Sequence, residues 1–476
     1  MAQKLYIHFE KLNQGTMAPG VHHFLSDPAD PLYSPNLQEF GIRFRKFLDD
    51  LSHLRYMQNI QFDAHPRTPE FERIAKRVIK DLDESLGNPA DSLLGLQNIF
   101  GNLQRILHCT RFEDLSVATP FHAIVVSAGP SLENDISLLK DTNIQKRFLI
   151  VAVDAVLRRL LEEGITPHIV VATERFDDTL PFFENLPPLN TLLVGQPTVA
   201  PKLFDLYTGP IATVSKFTGT FLWLPLERKH RWSGSSVSHL AYSIACRLGA
   251  SSIALLGQDL AYHPDTLQSH AYLPAYPEWS QPQTKESMSG KTHEVPGNTR
   301  AKVPTQTAWE MFANEFELLA HNFRIPTANT SALGMKIPGV DYVPFHSWIN
   351  QKPSPTNADF TLKYSSSNPL AETETSATKT KLADAIDHFE RLHRHLAQLK
   401  PSEYSREFSL VNQAPHFMEL VLEIVIRNYV EVENLQFSHP SSDELHAAYE
   451  RFFCHTSRAL VQVLECLRKS QTSLSI

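Results

Sequence analysis

Short apolar runs separated by helical periodicities dominate the middle of the chain. Residues 122–126, 148–153, 169–172, 191–194, 211–214 and 252–256 are rich in Val, Ile, Leu and Ala, and a further run covers 325–328. Each is too short for a buried helix and is bounded by Gly, Pro or polar residues, which predicts strands buried on both faces. Helical periods lie between them, over 155–163 (closed by Gly164 and Pro167) and over 237–248. The alternation predicts an α/β fold: an open, mainly parallel, Rossmann-like sheet with helices on both faces.

The flanks read differently. The first 65 or so residues are irregular, apart from a helix expected over 37–59. Apolar residues then recur at helical spacing over 69–86 (Phe71, Ile74, Val78, Leu82) and over 90–108 (Leu93, Leu96, Ile99, Phe100, Leu103, Ile106). Beyond the sheet, 350–379 is rich in Pro, Ser, Thr and Asn and reads as a linker. Three amphipathic helices are expected after it. The first carries Leu382, Ile386, Phe389, Leu392, Leu396 and Leu399; the second covers 417–435; the third opens on the capping box Ser441-Ser-Asp-Glu444 and runs to about 468. The predicted division is a mainly helical domain over 1–115, a central α/β domain over 116–349, a linker over 350–379 and a helical bundle over 380–476.

Polar residues collect where the predicted strands end, which is where open α/β sheets bind ligands. The 122–126 strand runs into Ser127-Ala-Gly-Pro-Ser-Leu132, a tight glycine turn whose N–H groups could face a phosphate. Asp154, Glu174, Gln258, Asp259 and Asn329 stand at the ends of other strands, so one pocket is expected there. The 262–304 segment, with His263, His270, Tyr272, Tyr276, Trp279 and His293, is long and aromatic, and reads as a lid or acceptor-binding loop.

Composition narrows the function. The chain has 476 residues and a net charge of −8 without a basic run, which argues against nucleic acid as a partner. The four cysteines are far apart, without metal spacing, and read as buried thiols in a reducing compartment. Neither a leader nor a membrane-spanning run is legible, so a cytoplasmic protein is expected.

Several segments in this order and spacing resemble the Maf (motility-associated factor) flagellin glycosyltransferases. They are Ser85-Leu-Gly-Asn-Pro-Ala-Asp-Ser-Leu-Leu-Gly95, the Gly129-Pro-Ser-Leu132 turn, and Asp154 followed by Gly164-Ile-Thr-Pro167. Gly234-Ser-Ser236, Gly257-Gln-Asp-Leu260, and Asn329 with Gly334-Met-Lys-Ile-Pro-Gly339 complete the set. The central part is also similar to bacterial CMP-sialic-acid-dependent sialyltransferases. The resemblance implies a CMP-activated nonulosonic acid of pseudaminic or legionaminic type as donor, and Ser or Thr hydroxyls of flagellin as acceptor.

On that resemblance the sugar–phosphate bond breaks through a transition state of oxocarbenium character. Gly234, Ser235 and Ser236 are expected to hold the phosphate, with plain N-capping as the alternative for the two serines. Tyr262 could add a phenol donor, and Gly129, Ser131, Asp154 and Glu174 would orient the nucleotide. His293, at the spacing from Asp259 where the sialyltransferase-like core carries its histidine, is the candidate base, with His263 and His270 as competitors. No obligatory metal is expected, since a single-phosphate leaving group needs one less than a diphosphate does. Two other functions fit the same residues. One is a 6-hydroxymethylpterin diphosphokinase-like enzyme using ATP and Mg²⁺ held by Asp154, Glu174 and Asp259; the other is a non-catalytic flagellin-binding protein.

Overall fold

The computed structural model describes residues 5–10, 19–24 and 60–61, and 88–475 except 118–119, 215–218, 228–233, 353–361, 366 and 438–440. The helices expected over 37–59 and 69–86 lie outside the described residues. Strand β1 (Leu5–Glu10) pairs antiparallel with β2 (Pro19–Phe24) and β3 (Ile60–Gln61). This small sheet corrects the irregular reading of the first 65 residues. Leu5, Ile7 and Phe9 alternate with Tyr6, His8 and Glu10, the period-two signal of a strand.

Nine strands form the central sheet: β4 (Thr110–Arg111), β6 (His122–Val126), β7 (Phe148–Val153), β8 (Ile169–Ala172), β9 (Leu192–Gly195), β10 (Ile211–Thr213), β11 (Ile253–Leu256), β14 (Thr327–Asn329) and β15 (Asp341–Tyr342). Their order is β15-β14-β11-β6-β7-β8-β9-β10-β4, and every pairing is parallel. Alternate residues of β8 and β9 enter two separate cores: Ile169, Val171, Leu192 and Val194 in one, Val170, Ala172 and Leu193 in the other. Both faces are therefore covered, which is why these strands read as unbroken apolar runs. The edge strands β4 and β15 are two residues long and escape periodicity altogether.

The remaining strands are pairs. β5 (Ser116–Val117) is antiparallel to β16 (Leu362–Lys363), and β12 (His293–Val295) to β13 (Val303–Thr305). Helix Val237–Arg247 lies across β6, β7, β8 and β11 and packs on helix Thr307–Phe323. Sequence reading missed the latter helix, although Ala313, Phe316 and Leu319 are buried at helical spacing. The single helix expected over 90–108 is two, Pro89–Gly101 and Leu103–His108, parted at Asn102. The helix expected after Gly129 is one turn, Leu132–Asp135, continued as a tighter 3-10 helix, Ile136–Lys140.

Within the stretch read as linker, Asn368 is buried and donates to the Leu107 carbonyl and the Glu374 carboxylate, both at 2.7 Å. Helix Ala371–Leu396 begins there too. The chain divides into two compact units, 1–93 with 383–468 and 94–382 with 469–476. In the first, helix Tyr404–Asn412, unseen in the sequence, sets Phe408 against Tyr429 and Phe452. The expected 417–435 helix breaks into Phe417–Leu420 and Leu422–Phe437, and the last helix, Ser442–Ser475, starts on the Ser441–Glu444 box. Among the described residues no helix is long and apolar enough to cross a membrane.

Candidate active site

After β6 the chain builds outward through β7, β8, β9 and β10, then returns to place β11 on the other side of β6. The crevice at such a switch point, outside the carboxyl ends of β6 and β11, is the ligand site of open α/β sheets. Here the ends of β6, β11 and β14 are tied together by side chains.

Asp259, just beyond β11, is the knot. Its Oδ2 accepts from the Ser131 N–H at 3.1 Å and its Oδ1 from the Ser131 hydroxyl at 2.5 Å. Ser131 Oγ in turn accepts from the Leu333 N–H (3.1 Å), and the Asp259 carbonyl from the Met335 N–H (2.8 Å). Nearby, Ser127 donates to Gln258 Oε1 at 2.8 Å, and Asn329 Oδ1 accepts from the Ser331 N–H. Gly129, Ser131, Gln258, Asp259 and Asn329 thus meet as expected. The phosphate-facing role of the Gly129 turn is corrected, however. The Gly129 N–H goes to the Gly257 carbonyl at 2.8 Å and the Ser131 N–H to Asp259, so this turn has spent on its neighbours the donors expected to face a phosphate. Enclosure pushes the Asp259 carboxyl up to about 7, against the pull of the Ser131 hydrogen bonds.

Asp154 follows β7 and is equally enclosed. Its Oδ1 accepts from the Ala155 N–H at 2.9 Å, whereas Oδ2 has no hydrogen-bond partner among the described residues. Burial, and next to it the charge of Glu174, raises this carboxyl to about 7. Glu174 itself is exposed beyond β8. Two residues missed from sequence brace the same rim. Buried Asn98 donates to the Arg175 and Thr198 carbonyls, and buried Asn102 to those of Pro197 and Val199. Their i, i+4 spacing on an apolar helix is the signal that could have found them.

The Gly234–Ser236 turn opens helix Val237–Arg247. Gly234 has φ +78°, and a Cβ there would stand 2.6 Å from His239, so only glycine fits. Ser236 is a true N-cap: its hydroxyl accepts from the His239 N–H, and its own N–H reaches His239 Nδ1 at 3.1 Å. Ser236→Ala should cost about 1 kcal/mol in urea unfolding; no change would mean the cap carries no stability. Ser235 gives both its N–H (2.8 Å) and its hydroxyl (2.6 Å) to the two carboxylate oxygens of Glu315. Each serine turn expected to meet a phosphate therefore holds a carboxylate of the chain itself.

The 262–304 segment is fastened over the Gly129 turn. The Ala271 N–H donates to the Ala128 carbonyl at 2.9 Å, the Tyr272 N–H to Glu133 at 2.6 Å, and Arg159 reaches the Tyr272 carbonyl. Tyr276 and Trp279 stack at 4.5 Å against Phe182. Tyr262 is buried with its ring 4.5 Å from Trp309, and burial raises its phenol. His293 begins β12, half-exposed, with Nε2 3.0 Å from Glu310 on helix Thr307–Phe323. Nδ1 of His263 accepts from the N–H groups of Asp265 and Thr266, and burial lowers His270 to about 4. No hydrogen bond joins His293 to Asp154 or Asp259.

A family model described as 6-hydroxymethylpterin diphosphokinase MptE-like matches residues 97–265, which hold Asn98, the Gly129 turn, Asp154 and Asp259. No curated protein matches the chain in sequence. Among solved structures, the Maf glycosyltransferase from Magnetospirillum magneticum AMB-1 is 16% identical at a TM-score of 0.52, over 94% of this chain and 70% of that one. The chain has the fold of a Maf glycosyltransferase, as the order of its motifs implied.

Proposed function

We propose that the protein is a glycosyltransferase that moves a nonulosonic acid, of pseudaminic or legionaminic type, from a CMP donor to Ser or Thr hydroxyls of flagellin. The motif resemblance and the shared fold with a glycosyltransferase support this reading. The observation that carries it is Asp154, whose enclosed Oδ2 has no partner among the described residues and sits at the carboxyl end of β7, next to the switch point. A buried acceptor of this kind favours a ligand that brings a hydrogen-bond donor.

In this reading the nucleotide lies across the ends of β6 and β7, with Ala128 to Ser131 as its wall and Asp154 and Glu174 as its orienting groups. Gln258, Asp259 and Asn329 hold that wall in place. The departing phosphate is received by the Ser235 and Ser236 turn, with Tyr262 as a further donor. His293, assisted by Glu310, takes the acceptor's proton. Asp154→Ala should reduce glycan transfer to flagellin by about 10- to 100-fold, the worth of one hydrogen bond to a charged group. Unchanged transfer would reject the role and favour a non-catalytic flagellin-binding protein.

The match over 97–265 favours one further reading, a pterin diphosphokinase using ATP and Mg²⁺. Of the carboxylates it would need, Asp259 already spends both oxygens on Ser131.

A further inference from the structure

Two carboxylates grip two serines in the same way, yet their surroundings differ. Asp259, only 2% exposed, is locked among the ends of three strands. Glu315 projects from helix Thr307–Phe323 with its side chain 23% exposed, and holds Ser235 through one N–H and one hydroxyl. Burial alone would raise the Glu315 carboxyl, but the contact with His239 and the hydrogen bonds from Ser235 outweigh it and keep it below the ordinary range, so the group is ionised at neutral pH. An ionised carboxylate and a phosphate cannot share these two donors, because both are anions competing for the same N–H and O–H.

We infer that Glu315 is a built-in gate on the Gly234–Ser236 turn: it occupies the Ser235 donors when no ligand is bound and swings into solvent when a phosphate takes them. This rests on the reading of that turn as the phosphate site. The long, partly exposed Glu315 side chain has somewhere to go, whereas Asp259 does not. Glu315 Oε2 also lies 3.1 Å from His239 Nδ1; with Glu315 away, that nitrogen still has the Ser236 N–H at 3.1 Å to accept, while Nε2 donates to the Phe312 carbonyl at 2.9 Å. Gly234, pressed on the His239 ring, keeps the turn in shape while the occupant changes. The gate sets a threshold: only a ligand with enough further contacts elsewhere in the crevice displaces Glu315, which favours the complete nucleotide over free phosphate.

Calorimetric titration of the full chain with CMP tests this, using wild type, Glu315→Gln, Glu315→Asp and the double variant Glu315→Gln with Ser235→Ala, each checked for an unchanged melting temperature. Gln lacks the charge and Asp lacks the reach, so both should bind CMP about tenfold tighter than wild type, as expected when a competing closed state is removed. Ser235→Ala should erase that gain. Equal CMP affinity in wild type and both single variants would overturn the gate while leaving the nucleotide reading intact. A gain that survives Ser235→Ala would place the effect elsewhere and also overturn it. No CMP binding by any variant would reject the phosphate reading, and the gate with it.

Discussion

Gly129→Ala should destabilise the protein by about 3 kcal/mol or more, the upper range of overpacking in a closed core. The added Cβ would lie 2.2 Å from Asp259 Oδ2 and 2.5 Å from the Gly257 carbonyl oxygen. Neither neighbour can retreat. The carboxylate is fixed by Ser131, and Gly257 is itself pinned at φ +68°, with its own missing Cβ facing the Ser127 carbonyl at 2.4 Å. β6 and β11 are in register there through Val126 and Leu256, so relief requires parting two central strands. Gly164→Ala is the control: φ is +74° with open space around it, so only the left-handed backbone cost of about 1–2 kcal/mol applies. Urea unfolding separates the two. A Gly129→Ala loss no larger than that of Gly164→Ala would mean the strand ends are not held as described.

Asp259→Ala should cost about 3 kcal/mol, since it strands the Ser131 N–H and hydroxyl in a closed interior. Asp259→Asn should cost less. Its Oδ1 can accept the Ser131 N–H while its amide donates to Ser131 Oγ, so both links survive without a charge. The pH dependence distinguishes the variants further. The Asp259 carboxyl is raised from the ordinary 3.8 to about 7, so between those values the folded chain keeps a proton that the unfolded chain has lost. Its contribution is therefore most favourable at low pH and falls as pH rises through that window, by a few kcal/mol at most. Asp154, raised in the same direction, adds to the slope. Unfolding free energy measured across that window should fall less steeply in Asp259→Asn than in wild type. Identical slopes would show that Asp259 does not hold its proton in the folded chain.

What was legible in the sequence divides along physical lines. The central strands were readable because they are buried on both faces, which leaves apolar runs such as 122–126 and 148–153 with no polar interruption. The turns were readable because glycine and serine announce local geometry. The partners of those turns were not. Ser131 meets a carboxylate 128 positions away and Ser235 one 80 positions away, and only the tertiary fold chooses between an internal carboxylate and a ligand. Asn98 and Asn102 were hidden for a related reason, since an amide on an apolar helix shows its purpose only once the 197–199 backbone lies beneath it. The helix Thr307–Phe323 was overlooked beside the long aperiodic segment before it, and it carries Glu310 and Glu315, the partners of His293 and Ser235.

In the proposed function, the crevice at the ends of β6 and β7 receives a cytidine nucleotide through Asp154. The most direct test is thermal unfolding of the wild-type chain and of Asp154→Ala with CMP, and separately with ATP and Mg²⁺. CMP at about 100 times its Kd should stabilise the wild type by ~2.7 kcal/mol, a shift of a few degrees, and the variant by clearly less. Stabilisation by ATP and Mg²⁺ alone, with no response to CMP, would contradict the claim and establish the diphosphokinase reading in its place.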